Sequence, residues 1–131
     1  MRFMFIIKSA DTSPPTPELL EAMGKQAEQE IKAGRMLDTG GLAPLQVSSQ
    51  VTLTAGKIDV VDGPFVEAKE MIGGYAIFEM QSQEEAIAGA VNFLQLHKDH
   101  QPGWEGTCEI RAIFSGDEPD ATCNVASPAL A

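Results

Sequence analysis

The chain has 131 residues, 44% of them hydrophobic, which suits one domain with a single core and argues against wholesale disorder. Nine Lys and Arg stand against nineteen Asp and Glu, and the net charge of −10 repels phosphate backbones and anionic lipid, so neither nucleic acid nor a membrane is an expected partner. The longest apolar run near the N-terminus, Phe3 to Ile7, is too short for a secretion signal or a membrane span, and a cytoplasmic location is the expectation.

Arg2 to Lys8 reads as a first strand, aromatic and β-branched, followed by the loop residues Asp11 to Pro15. Alternation sends Phe3, Phe5 and Ile7 to one face and Met4 and Ile6 to the other, so both faces need cover. Thr16-Pro17-Glu18 has the order of a helix start: a capping hydroxyl, a proline at the first helical position, and an acid in the first turn. Leu20, Met23, Ala27 and Ile31 follow at helical spacing, and Gly34, with Lys32 and Arg35 beside it, is a stop. Gly40 to Pro44 reads as an irregular turn. Val51 to Thr54 and Lys57 to Val61 read as strands joined by Ala55-Gly56. A two-residue loop pairs Leu53 with Ile58 and Val51 with Val60 on one face of a hairpin.

Asp62 to Phe65 closes the hairpin, and the next strand runs from Gly73 or Gly74 to Met80. Ser82-Gln83-Glu84-Glu85 is a capping box opening a second helix, which carries Ile87, Ala90, Val91 and Leu94 and ends near His97 to His100, before Pro102-Gly103. Cys108 to Phe114 is the last strand. The order is the α+β ferredoxin-like plan, βαββαβ, with an inserted hairpin and both helices on one side of the sheet. The other side is apolar too, and the least costly cover is the same face of a second copy, so a homodimer is expected. Residues 1–115 form the expected domain. Residues 116–131, poor in large apolar side chains, form a C-terminal tail.

The chemistry-bearing segment runs Asp62-Gly63-Pro64-Phe65-Val66-Glu67-Ala68-Lys69-Glu70, then Met71-Ile72-Gly73-Gly74-Tyr75. Asp62 suits a turn in which a carboxylate accepts backbone N–H groups, Pro64 fixes its own φ, and Phe65 anchors the returning loop. Glu67, Lys69 and Glu70 put three charges beside a glycine pair that lets a ligand approach the backbone. The run resembles the signature of the DGPF group of YCII-related proteins, supported by Met1 to Met4, by Gly34-Arg35 to Gly41-Leu42, and by Thr54 to Lys57. The resemblance covers roughly residues 1–115.

That resemblance implies a ferredoxin-like fold paired into a dimeric α/β barrel, and for some members a link to extracytoplasmic-function sigma factors. It also implies a histidine–aspartate pair, the histidine coming from the first helix. This chain departs there: Met23 stands about where the histidine would fall, leaving Asp38 and Asp62 as candidate acids. The expected ligand-binding set is Asp62, Phe65, Glu67, Lys69, Glu70, Tyr75 and Met23. No cofactor is expected, since the glycine pairs match neither the GxGxxG nor the GxxxxGK phosphate pattern. No metal is expected either. His97 and His100 lack a third ligand at convincing spacing, and they read as a solvated helix end that suits the dipole. Met4, Met23, Met36, Met71 and Met80 read as core filler, and Trp104 as a cap on the barrel or interface. Cys108 reads as a buried thiol and Cys123 as a free one, a disulfide being disfavoured in a reducing cytoplasm. Two functions follow: a cofactor-independent small-molecule enzyme or binder with its pocket between sheet and helices near the DGPF run, or a non-catalytic interaction or regulatory module acting through its dimer surface or tail.

Overall fold

In the computed structural model, residues 1–11, 13–62 and 71–114 are described, with only the backbone at Asp62. Among them, strands β1 (Arg2–Ser9), β2 (Met36–Gly41), β5 (Met71–Glu79) and β6 (Thr107–Ala112) form one sheet in the order β2-β5-β1-β6. Every neighbouring pair is antiparallel. Helices α1 (Pro17–Lys32) and α2 (Gln83–His100) connect them, an architecture compatible with the ferredoxin-like plan. Strands β3 (Ser49–Thr54) and β4 (Lys57–Asp62) form a separate two-stranded ribbon between β2 and β5.

The helix ends follow local chemistry. Thr16 Oγ1 accepts the Leu19 N–H at 3.1 Å and Pro17 takes the first helical position. At the other end, Gly34 adopts a left-handed φ of 77°, with its N–H on the Ile31 carbonyl and that of Arg35 on the Glu30 carbonyl, a Schellman closure. Ser82 caps α2 through the Glu85 N–H at 3.2 Å, and the Glu85 carboxylate reaches back to the Gln81 N–H. The ribbon pairs Leu53 with Ile58 and Val51 with Val60, and its turn holds Ala55 and Gly56 at φ 52° and 77°. Two successive positive φ values match the right-handed twist of the strands.

Met36–Gly41 is a strand, where the glycine pair suggested a turn beginning at Gly40. Close approach accounts for the glycines. A Cβ on Gly40 would lie 2.9 Å from the ring of its cross-strand partner Tyr75, and one on Gly74 would lie 3.1 Å from the Gly40 carbonyl oxygen. The ferredoxin-like position beside β5 is therefore filled by β2, and the hairpin is an addition outside the sheet.

The core lies between the sheet and α2. Phe3 and Phe5 from β1, Phe78 and the adjoining Met80, and Ala86 and Ala90 from α2 form one buried cluster. The Phe5 and Phe78 rings sit 4.6 Å apart, tilted by 42°. α2 comes close because its inward residues are small: a Cβ on Gly89 would lie 3.3 Å from Met80 Cε and 3.7 Å from the Phe5 ring. The contact stripe is thus Ala86, Gly89 and Ala90, while Ile87 and Val91 of the expected stripe are exposed. In α1, Leu19 is the buried residue, Met23 and Ala27 are half-buried, and Leu20 and Ile31 are exposed. The opposite sheet face carries half-buried Met4, Ile6, Tyr75 and Ile77, as the alternation predicts, with Lys8 bonded to Glu109 at 2.7 Å.

Candidate functional site

A sheet face covered tightly by α2 and loosely by α1 leaves a gap, and the gap is a cavity of about 770 Å³. Its floor is the helix-facing side of the sheet: Phe5 and Ile7 from β1, Met36 and Thr39 from β2, Ala76 and Phe78 from β5. α1 roofs it with Leu20, Met23, Gln26, Ala27 and Glu30. One end is walled by Phe93, His97 and Trp104, another by Leu42 to Leu45 and by Met71 to Gly74. The size falls within the roughly 300–1,000 Å³ of small-molecule sites, and the walls are mainly apolar with a few polar groups.

Most of those polar groups are already engaged. The Ser9 hydroxyl donates to the Glu105 carbonyl at 2.6 Å, and the Thr39 hydroxyl to the Tyr75 carbonyl at 3.0 Å. Asp11 accepts from the Ser13 N–H and hydroxyl, which holds its carboxyl below the usual range. Glu30 pairs with Arg35. The Gln26 amide makes no hydrogen bond among the described residues and adds donors and an acceptor from the roof. No Lys or Arg lines the cavity among the described residues.

His97 is the polar group that stands out. The expected solvated helix end is not what the structure builds: His97 is only 7% exposed. Its ring lies between Phe93 and Trp104, with centroids 4.8 and 4.3 Å away. The indole folds back because the turn allows it. Gly103 takes a φ of 86°, and the indole lies across Gly106, where a Cβ would come within 2.3 Å of it. Nδ1 sits 3.1 Å from the Phe93 carbonyl, which can only accept, so Nδ1 carries the proton. Burial pushes the pKa of His97 down, favouring the neutral ring. Sequence reasoning had one signal for this: an aromatic at Phe93, four residues earlier on the same helix face.

The other anticipated residues divide. Met23 lines the cavity roof. Tyr75 borders the cavity, but its side chain shares the opposite sheet face with Ile6, and its hydroxyl donates to Asp38 at 3.1 Å. That bond raises the Tyr75 pKa. Asp38 stands with Tyr75 on that far face and is not part of the cavity wall. Phe65, Glu67, Lys69 and Glu70, and the side chain of Asp62, lie outside the described residues, as does Cys123. Met71 to Gly74, the described part of the same run, do line the cavity. Burial pushes the Cys108 thiol up to about 11, so it stays protonated and unreactive at neutral pH. Among the described residues, no three His, Cys, Asp or Glu converge as a metal site would require, and no helix is long and apolar enough to cross a membrane.

The family model for the YCII-related domain matches residues 1–114, which takes in every described element. The chain belongs to the YCII-related family. A Rhizobium meliloti (strain 1021) protein called "Uncharacterized protein R00369" is similar, being 25% identical over 81 residues. That stretch spans 62% of this chain and 65% of the relative, a little under two thirds of it. The YCII-related match supports the family suggested by the motif, and it stops where the described residues stop.

Proposed function

We propose that this YCII-related chain holds a small, largely apolar molecule between α1 and the sheet, as a binder or cofactor-independent enzyme working as a cytoplasmic homodimer. The observation that carries the reading is the cavity of about 770 Å³, with mainly apolar walls and a few polar groups. The DGPF-type run is assigned to the ligand on its sequence. Met71 to Gly74 of that run line the wall, which supports keeping their sequence neighbours Asp62, Phe65, Glu67, Lys69 and Glu70 as proposed ligand-contacting residues. Asp38 and Tyr75 face the other way and are assigned to the surface that meets the second copy in a dimeric barrel.

Filling the roof tests this reading. Met23→Trp is expected to abolish binding of naphthalene-type compounds, measured by fluorescence titration, while the folded chain keeps its circular dichroism. Unchanged binding in Met23→Trp would place the ligand elsewhere. For the homodimer, light scattering at micromolar concentration is expected to give twice the chain mass of 14.0 kDa, and a monomer would sink it.

A second reading has its own observation. Val51, Leu53, Ile58 and Val60 share one face of the β3–β4 ribbon and are each at least two-thirds exposed. An interaction or regulatory module, including one linked to a sigma factor, would use such a surface. Val60→Asp separates the two: it is expected to leave naphthalene binding intact, and to change the assembly state only if the ribbon is a contact surface.

A further inference from the structure

We infer that His97 is the proton acceptor of the cavity, and that the ligand is a neutral, largely apolar molecule whose phenol-type hydroxyl donates to His97 Nε2. The inference rests on the reading of the cavity as a small-molecule site and names the chemistry at one end of it. With Nδ1 spent on the Phe93 carbonyl, Nε2 is left with a bare lone pair. No group among the described residues bonds to it, yet no buried side-chain nitrogen or oxygen among them is left unpaired. Nε2 is therefore not sealed in protein, and since His97 lines the cavity, we take the cavity as the space that Nε2 meets.

A bare imidazole nitrogen requires a donor, which selects O–H or N–H and rejects ethers and ketones at that position. Charge narrows the choice. Asp11 lines the cavity, and no Lys or Arg does among the described residues, so a carboxylate or phosphate finds no counter-charge among them at this end. The walls beside Nε2 are aromatic, Phe93 and Trp104, with Phe5 on the floor, and they suit a flat ring body. A weakly acidic hydroxyl on such a ring meets all three requirements. If the proton moves, the O–H bond breaks as the Nε2–H bond forms, giving an oxyanion and an imidazolium, and the proton returns along the same line. The ring is held for this by its two aromatic neighbours and by the Nδ1 bond, which fixes its tautomer.

The test compares 2-naphthol with its methyl ether, 2-methoxynaphthalene, by fluorescence titration of the full chain at neutral pH. The wild type is expected to bind 2-naphthol about tenfold more tightly, the factor that 1.4 kcal/mol represents. His97→Phe, which keeps an aromatic ring in the stack, is expected to retain the ether and lose the preference. In ¹⁵N spectra, His97 Nε2 is expected to show an unprotonated shift that moves on adding 2-naphthol and stays put with the ether. Equal preference in the wild type and His97→Phe overturns the role of His97 and leaves the cavity reading standing. Failure of both compounds to bind the wild type overturns the cavity reading, and the His97 role with it. Should His97→Phe not fold, the wild-type Nε2 shift decides: no movement with bound 2-naphthol overturns the inference.

Discussion

α1 and α2 cover the same face of one sheet and do so in opposite ways. α2 brings Ala86, Gly89 and Ala90 down onto Phe5, Phe78 and Met80, and small residues let backbone approach aromatic rings. α1 offers Met23 and Ala27 to the sheet and leaves a cavity of about 770 Å³ beneath them. A close-packed half carries the apolar burial that makes the fold stable, and that frees the other half to stay open. Phe5 touches both regions, belonging to the buried cluster and to the cavity floor.

The sharpest way to break this contrast is at the packed half. Phe5→Ala is expected to cost about 3–5 kcal/mol, the range for deleting a buried aromatic side chain, read from urea denaturation. A cost below about 1 kcal/mol would mean that the α2 side is no better packed than the α1 side. A smaller effect is expected where the halves are tied together. Gln101 is 7% exposed, and its Oε1 accepts the Thr16 N–H at 3.1 Å, while the Thr16 hydroxyl donates to the His100 carbonyl at 2.6 Å. The start of α1 is thereby fastened to the end of α2. Gln101→Ala leaves a partly buried N–H without its acceptor and is expected to cost about 1–3 kcal/mol. Amide exchange should rise at α1 and not in α2, and a uniform rise along both helices would deny that the two behave separately.

Next comes the roof itself. Met23→Ala is expected to fall below the about 2–5 kcal/mol of a well-packed methionine, because one side of the side chain already faces open space. A loss in the full range would show that α1 is packed in solution and that the cavity is closed.

The same contrast explains what was legible in the sequence. Caps, stops and the hairpin register are local: Thr16, Gly34, Ser82 and the pairs Leu53–Ile58 and Val51–Val60 depend on neighbours a few residues away, and each falls where the pattern puts it. The faces of β1 were equally legible, since alternation is a local rule. β2 was not, because Gly40 and Gly74 serve a cross-strand approach that looks like turn chemistry in one dimension. Missing β2 also hid the Asp38–Tyr75 bond, which exists only across that strand pair. The stripe of α2 was misjudged because Ile87 and Val91 outweigh alanine and glycine on any hydropathy count, while close packing needed the small residues. His97 looked like a helix-end histidine because its cover, Trp104, arrives from a turn seven residues on. The motif charges Glu67, Lys69 and Glu70, which carried most of the predicted site, lie outside the described residues, and the described part of the site joins the closing residues of the run, Met71 to Tyr75, to residues outside it such as Met23 and His97.

The smallest expected effect concerns pH, and it probes the junction where α2 meets the cavity. His97 sits against Phe93 of its own helix and Trp104 of the following turn, neither of them charged. The titratable groups around that end are Asp11 on the cavity wall, Lys98, Asp99 and His100 at the helix terminus, and Glu105 after the turn. Burial outweighs the Nδ1 bond to Phe93, so the folded pKa lies below the ordinary histidine value of 6.5. Between the two values the unfolded chain binds more protons, so stability rises with pH across that window. The contribution is complete above about 6.5 and is lost as pH falls through the folded value. Asp11, Glu79 and Glu109, whose carboxyls are held down by their hydrogen bonds, lose their contributions only at lower pH, below the ordinary carboxylate values of 3.8 and 4.5. Denaturation midpoints measured from pH 7.5 down to pH 5 therefore isolate the histidines. The wild type is expected to weaken across this range, and His97→Phe to lose most of that slope. His100→Gln, which alters the other histidine, is expected to keep it. A slope that survives in His97→Phe and disappears in His100→Gln would place the protonation at the helix end and leave His97 as an ordinary packed ring.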